Sequence, residues 1–164
     1  MRWFSFIVVA GSALLLLSLY RGAFFVPTRR KYIPRIVELL GIQAGETVAD
    51  LGSGDGRLLI AVAEAGGVAH GFEHNPFLVW RARRNVRRAG FENKAFTHHG
   101  NFWNEDLSSF NAVVIYGIPY IMGRLEKKLL AELRPGARVV SNSFPFPTWQ
   151  PTAAHKRVYL YRQP

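Results

Sequence analysis

The sequence predicts an α/β fold, a mostly parallel and doubly wound sheet, behind an N-terminal transmembrane helix. Three observations carry this expectation. Short apolar runs of strand length alternate with amphipathic stretches of helical period, the pattern of a parallel sheet covered on both faces. The first of these runs turns into closely spaced glycines, Val48-Ala49-Asp50-Leu51-Gly52-Ser53-Gly54-Asp55-Gly56, and the next ends on the acid Glu73. Ahead of both, Trp3 to Tyr20 is 18 residues without a charge.

At about 1.5 Å per residue, that first segment just crosses a bilayer core. Apolar character resumes after Arg21 in Ala23-Phe24-Phe25-Val26, so Arg21 can snorkel to the interface. A cleaved signal peptide fits less well. Arg21, Arg29, Arg30, Lys31 and Arg35 follow the segment, Arg2 precedes it, and no small-x-small cleavage site comes after the leucines. The positive-inside rule then keeps the rest of the chain on the cytoplasmic side. Residues 1–26 read as the anchor and 27–164 as one domain, since 164 residues leave no room for two.

After Val26-Pro27-Thr28 a helix is expected from about Arg29 to Leu40, with Gly41 ending it. Thr47–Leu51 is the first strand and Arg57–Ala65 a helix stopped by Gly66-Gly67. Val68–Phe72 is the second strand. Asn75 caps a helix that has Pro76 at its first position and Gly90 past its end. Lys94–His98 and Ala112–Tyr116 are further strands. A helix from about Tyr120 to Leu133 presents Leu125, Leu129, Leu130 and Leu133 to the core, until Arg134-Pro135-Gly136 breaks it. Ala137–Ser143 is a fifth strand, and Arg157–Tyr161 a last one at an edge. Right-handed crossovers bring Gly52, Glu73, His98 and Tyr116 to one edge of the sheet.

That edge holds the chemistry. The glycines let a ligand lie against bare backbone, and N–H groups at a helix start favour an anionic group. Glu73, at the end of the second strand, can accept from both hydroxyls of a ribose. Asp50 stands two residues before the first glycine, where it would repel a pyrophosphate but attract an ammonium. The loop therefore points away from a dinucleotide and towards S-adenosylmethionine, whose amino-acid end carries that charge. Asn101 can accept from the exocyclic amine of adenine, and the next backbone N–H, that of Phe102, can donate to a ring nitrogen.

Composition narrows the partners. The chain has no cysteine, hence no disulfide or thiolate metal site, and a net charge of +10. Such a basic excess suits anionic neighbours, nucleic acid or an acidic membrane surface. Arg81, Arg83, Arg84, Arg87 and Arg88 crowd one helix and read as a solvated face near anionic lipid headgroups, with nucleic acid disfavoured. His98-His99 lacks partners at metal-ligand spacing, so no metal site is expected. The serines have no His/Asp arrangement for nucleophilic catalysis.

The pattern resembles a class I S-adenosylmethionine-dependent methyltransferase, with its Rossmann-like sheet. More closely, it is similar to the membrane-anchored mitochondrial protein lysine methyltransferases that modify the ATP synthase c subunit and the adenine nucleotide translocase, and to their prokaryotic relatives. The residues that carry the likeness are Val26-Pro27-Thr28, Asp50 to Arg57, Gly71-Phe72-Glu73-His74-Asn75-Pro76, Asn101-Phe102-Trp103, Tyr116-Gly117-Ile118-Pro119 and Phe144-Pro145-Phe146-Pro147-Thr148-Trp149. The resemblance implies that Asp50, Gly52, Ser53, Gly54 and Gly56 hold the methionine part of the cofactor, Glu73 the ribose, and Asn101 with Phe102 the adenine. Thr28 would lie near the cofactor carboxylate. Family members often have an acid at the position of Asn101, and an amide can serve there. A protein lysine is the implied acceptor, in a membrane protein or elsewhere. Tyr116 and Tyr120 are the expected walls of its pocket, since an apolar, aromatic surround favours the neutral amine. The alternatives are a small-molecule or phospholipid amine methyltransferase, a nucleic-acid methyltransferase, and a tethered cofactor-binding module without turnover.

Overall fold

The computed structural model describes residues 27–164, so the expected span Trp3–Tyr20 and the rest of the 1–26 anchor lie outside the described residues. Among the described residues, no helix is long and apolar enough to cross a membrane.

Seven strands form one sheet: β1 (Thr47–Leu51), β2 (Val68–Glu73), β3 (Ala95–His99), β4 (Ala112–Ile115), β5 (Arg138–Asn142), β6 (Ala153–His155) and β7 (Val158–Arg162). Their order is β3-β2-β1-β4-β5-β7-β6. The pairs among β1 to β5 are parallel, and those made by β7 are antiparallel. Among the described residues, four α-helices cover the sheet: α1 (Ile33–Leu40), α2 (Arg57–Glu64), α3 (Pro76–Ala89) and α4 (Pro119–Glu132).

Alternation along the strands sorts their side chains to two faces. On one face, Val48, Ala112, Val114 and Val140 pack with Ile36 and Leu40 of α1, Leu59 and Val62 of α2, and Val86 of α3. On the other, Ala49, Leu51, Val113 and Val139 pack with Met122, Leu125 and Leu129 of α4, and with Phe110, Phe146 and Tyr161. Completely burying side chains of this size contributes roughly 1.5–3 kcal/mol each, so the two layers together fix the strand ends in place.

The helix signals behave as their chemistry dictates. Asn75 Oδ1 accepts from the N–H of Phe77 at 2.9 Å and of Leu78 at 3.4 Å. Pro76 occupies the first turn, and Gly90 closes α3 in the left-handed conformation. The first expected helix instead splits into a 3-10 turn, Arg30–Tyr32, and α1, because an unbroken helix from Arg29 would need an N–H at Pro34 to donate to the Arg30 carbonyl, whereas at the start of α1 none is needed.

Two expectations are corrected. The last strand is not at an edge: β7 runs between β5 and β6, and the short β6, Ala153–His155, is the edge. Alanines carry little strand propensity, which hides β6 from the sequence. Leu130 does not face the core but lies exposed on α4; Met122 and Glu126 join Leu125 and Leu129 as its buried positions.

Candidate functional site

The parallel register puts the carboxyl ends of β1, β2, β3 and β4 side by side. Leu51 pairs with Phe72 and with Ile115, and Glu73 with His99. The residues that follow, Gly52, Gly100-Asn101 and Tyr116, therefore line one edge.

β1 turns into the glycine loop at Gly52, whose φ of +87° is a left-handed value that glycine tolerates. A Cβ built there would meet nothing within 4 Å, so this backbone borders open space. Glu73 is fixed by two backbone donors: Gly54 N–H to Oε2 at 3.0 Å and Asn75 N–H to Oε1 at 2.8 Å. The same carboxylate therefore braces the glycine loop and presents its remaining lone pairs outward. Gly71, beneath it, has no room for a side chain. A Cβ there would lie 2.5 Å from Ser53 Cβ and 2.8 Å from Leu59 Cδ1.

Asp50 is buried at the end of β1. Burial, then the negative charges of Glu73 and Asp55, push its pKa up to about 7. Such a group needs a cation or a donor, and among the described residues none reaches it. Ser53 Oγ is likewise buried with no hydrogen-bond partner among the described residues. Asp55 has the opposite environment. Arg57 grips it through Nε to Oδ1 at 2.8 Å and Nη2 to Oδ2 at 2.6 Å, which holds its carboxyl below the usual range. The third donor of Arg57, Nη1, reaches the Thr28 carbonyl at 2.9 Å. Thr28 is thus tied to the glycine loop through its backbone.

On the far side of β2, Gly100 N–H donates to the Glu73 carbonyl at 3.0 Å, which brings Asn101 next to Glu73. Asn101 Oδ1 accepts from Trp103 N–H at 3.2 Å and starts a 3-10 turn, Phe102–Asn104. Phe102 is half-buried within it. His98 sits against His70, Nε2 to Nδ1 at 3.1 Å, and burial followed by the neighbouring His98 lowers the His70 pKa.

The other half of the edge lies beyond β4. Tyr116 is half-buried at the strand end, while Tyr120, in the first turn of α4, is 81% exposed. Phe144, Phe146 and Trp149 pack around Tyr161 and the start of α4, with Phe146 and Trp149 ring centroids 5.6 Å apart. This loop is pinned by Glu126. Its carboxylate accepts from Thr148 Oγ1 at 2.6 Å, from Thr148 N–H at 3.2 Å, and from Trp149 N–H.

Thr28, Asp50, Gly52, Ser53, Gly54, Gly56, Glu73, Asn101 and Phe102 thus converge on the ends of β1 to β3, with Tyr116 beside them just past the end of β4. Asp55 and Arg57 helped carry the family likeness in the sequence but were given no part in the site, and Glu126 was not singled out. An acid two residues before an arginine at a helix start, and a lone acid on the apolar stripe of α4, were the available signals.

Such a site fits S-adenosylmethionine. An unpartnered buried carboxylate suits its ammonium, a free serine hydroxyl and open glycine backbone suit its amino-acid end, and a strand-end glutamate suits its ribose. Fold and site define the class of S-adenosylmethionine-dependent methyltransferases. The crystal structure of an RNA methyltransferase from Salinibacter ruber in complex with S-adenosyl-L-homocysteine superposes with a TM-score of 0.82 at 33% identity, covering 85% of this chain and 94% of that one. S-adenosylmethionine is accordingly the cofactor. The chain belongs to the family described as the ANTKMT methyltransferase domain, which matches residues 50–153. Over 127 residues, 77% of this chain and 51% of the relative, it is 44% identical to the lysine N-methyltransferase of the ATP synthase c subunit from Mus musculus. It therefore spans about half the length of that relative. It is 34% identical over 147 residues to a protein-lysine N-methyltransferase of Saccharolobus islandicus, covering 84% of this chain and 91% of that one.

Proposed function

We propose that this protein is a membrane-tethered protein lysine N-methyltransferase. The observation that carries the acceptor class is the likeness to relatives named for activity on protein lysine. The family match, residues 50–153, takes in every candidate site residue but Thr28. The tether is the uncharged segment Trp3–Tyr20, with residues 27–164 as the catalytic domain on the cytoplasmic side.

In this reading Asp50 takes the cofactor ammonium, Gly52, Ser53, Gly54 and Gly56 pass along its amino-acid end, and Thr28 closes over the carboxylate. Glu73 takes the ribose hydroxyls, Asn101 and Phe102 the adenine. Bound S-adenosylmethionine supplies an electrophilic methyl group on a sulfonium. The protein has to align a lysine amine with it and to strip the amine of water. In water that amine has a pKa of about 10.4 and is charged. Tyr116, with Phe144, Phe146 and Trp149 packed beyond it, supplies an apolar surround that favours the neutral form. Carbonyls at Tyr116 and Gly117 orient it. Tyr120 stands at the entrance, where an incoming chain covers its exposed ring.

The test is transfer of labelled methyl from S-adenosylmethionine by the full chain incubated with membrane extract. Label in methyl-lysine of a protein is the expected result. Label found only in lipid would sink the reading in favour of an amine headgroup. Label found only in RNA would favour a second reading, to which the likeness to the Salinibacter ruber RNA methyltransferase lends weight. Cofactor binding without any label would leave a binding module. Calorimetry with Glu73→Ala is the control for binding at this site.

A further inference from the structure

The outer face of α3 belongs to none of these roles. Its inner side is fully used: Leu78, Val79, Ala82 and Val86 are buried. At 100° per residue, the opposite side carries Phe77, Trp80, Arg81, Arg84 and Arg88 in one stripe. Phe77 is 61% exposed and Trp80 54%, and their rings lie 5.8 Å apart. Arg84 stacks over Trp80 at 5.5 Å. Arg83 and Arg87, at the flank, are turned away to the Thr97 carbonyl and to Glu92. No acid occurs in the fourteen residues of the helix.

Two large aromatic side chains beside three arginines, on a helix with no negative charge, match the makeup of a helix that lies in a membrane interface. The rings enter the acyl boundary and the guanidinium groups meet anionic headgroups. The place where the chain enters the domain favours the same partner. Thr28 is held by Arg57, Arg57 holds Asp55, and the Asp55 carbonyl accepts from Asn85 Nδ2 of α3 at 2.9 Å. Thr28 lies eight positions after Tyr20, the end of the uncharged segment, a reach of at most about 28 Å. Arg29, Arg30 and Lys31 are exposed at that entry.

We propose that the Phe77, Trp80, Arg81, Arg84 and Arg88 face of α3 docks on an anionic phospholipid bilayer, so that the domain lies on the membrane in one orientation. This rests on the reading of Trp3–Tyr20 as a tether and goes beyond it. A tether alone leaves the domain free to tumble, whereas a second contact fixes which way the sheet edge faces.

The experiment uses the full chain in vesicles of phosphatidylcholine, with or without phosphatidylglycerol, carrying brominated acyl chains. The emission of Trp80 is isolated as the difference between the wild type and Trp80→Phe. Roughly half of that emission should be quenched in the phosphatidylglycerol vesicles, and the quenching should fall in high salt. The triple variant R81E/R84E/R88E should lose it and still float with the vesicles, whereas R81K/R84K/R88K should keep it. Cofactor affinity of each variant, by calorimetry, checks that the fold is intact. Unquenched Trp80 in protein that floats overturns the docking face and leaves the tether standing. Failure of the wild type to float overturns the tether, and the docking face with it. Quenching that persists in R81E/R84E/R88E overturns the role of charge. A Trp80 response to an RNA oligonucleotide, with none to vesicles, would assign the face to nucleic acid.

Discussion

The two halves of the site edge are held by opposite means. From Thr28 to Glu73 the structure rests on backbone: Gly52 and Gly54 with no side chains, Gly71 with no room for one, and carboxylates braced by N–H groups and by Arg57. From Tyr116 to Trp149 it rests on aromatic side chains that pack around one another and on a single carboxylate, Glu126, that gathers the loop 144–149 onto α4. The first half is shaped to one small molecule and has almost no freedom to change. The second can exchange ring for ring while Glu126 keeps its donors. A shared cofactor and a varied acceptor would need this division of labour.

Under this division, damage should stay within its half. The largest effect is expected at Gly71. Gly71→Ala drives a Cβ into Ser53 and Leu59, and overpacking of this kind costs about 3 kcal/mol or more. Cofactor affinity, measured by calorimetry, should fall with it because Ser53 must move. Glu126→Ala should cost about 2–3 kcal/mol in thermal or denaturant unfolding, since it strips three donors of their acceptor. Its effect on function should be the converse: lower kcat/KM for the acceptor, with the cofactor dissociation constant unchanged. A loss of cofactor binding in Glu126→Ala would erase the distinction between the halves.

That same contrast decides what could be read from the sequence. The strands β1 to β5, the caps of α3 and the gathering of Asp50, Gly52, Glu73 and Asn101 were legible because each depends on local spacing: apolar runs of strand length, Asn-Pro, acid and glycines. Arg57 holding Thr28 was not, because it spans 29 residues and uses a carbonyl, which every residue has. Glu126 was hidden by its place on a leucine stripe, where an acid reads as solvent-facing until a loop 22 residues on delivers its donors. The tight fit of Gly71 depends on the Ser53 and Leu59 atoms above it, and no pattern along β2 encodes them. The 81% exposure of Tyr120 in the first turn of α4 follows from the extended path of the chain into Pro119, which no spacing in the sequence encodes.

Asp50 allows the cofactor half to be probed by pH. In the ligand-free protein its pKa is pushed up to about 7, well above the ordinary 3.8. If the carboxylate receives an ammonium, cofactor affinity should rise as much as about tenfold per pH unit below 7 and level off above it. Asp50→Asn should bind weakly and show no such slope. The sign for stability is the reverse. The folded protein holds a proton on Asp50 that the unfolded chain has lost between pH 3.8 and about 7, so ligand-free stability falls as pH rises through that window. Asp50→Asn escapes the fall, and should be more stable than the wild type at pH 8 and no more stable at pH 4.

The smallest effect tests the latitude of the acceptor half directly. Gly123 lies in α4 with an ordinary negative φ, and a Cβ there would touch Pro147 Cγ at 3.6 Å, an ordinary contact. Gly123→Ala should therefore stabilise α4 by about 0.5–1 kcal/mol, the usual gain of alanine over glycine within a helix. This is the converse of Gly71→Ala, the same substitution on the cofactor side, where the added methyl meets atoms at 2.5 Å. A raised melting temperature with unchanged cofactor affinity supports the contrast. A destabilised Gly123→Ala protein would show that the acceptor half is packed as tightly as the loop beneath the cofactor, and that its aromatic loop is not free to vary.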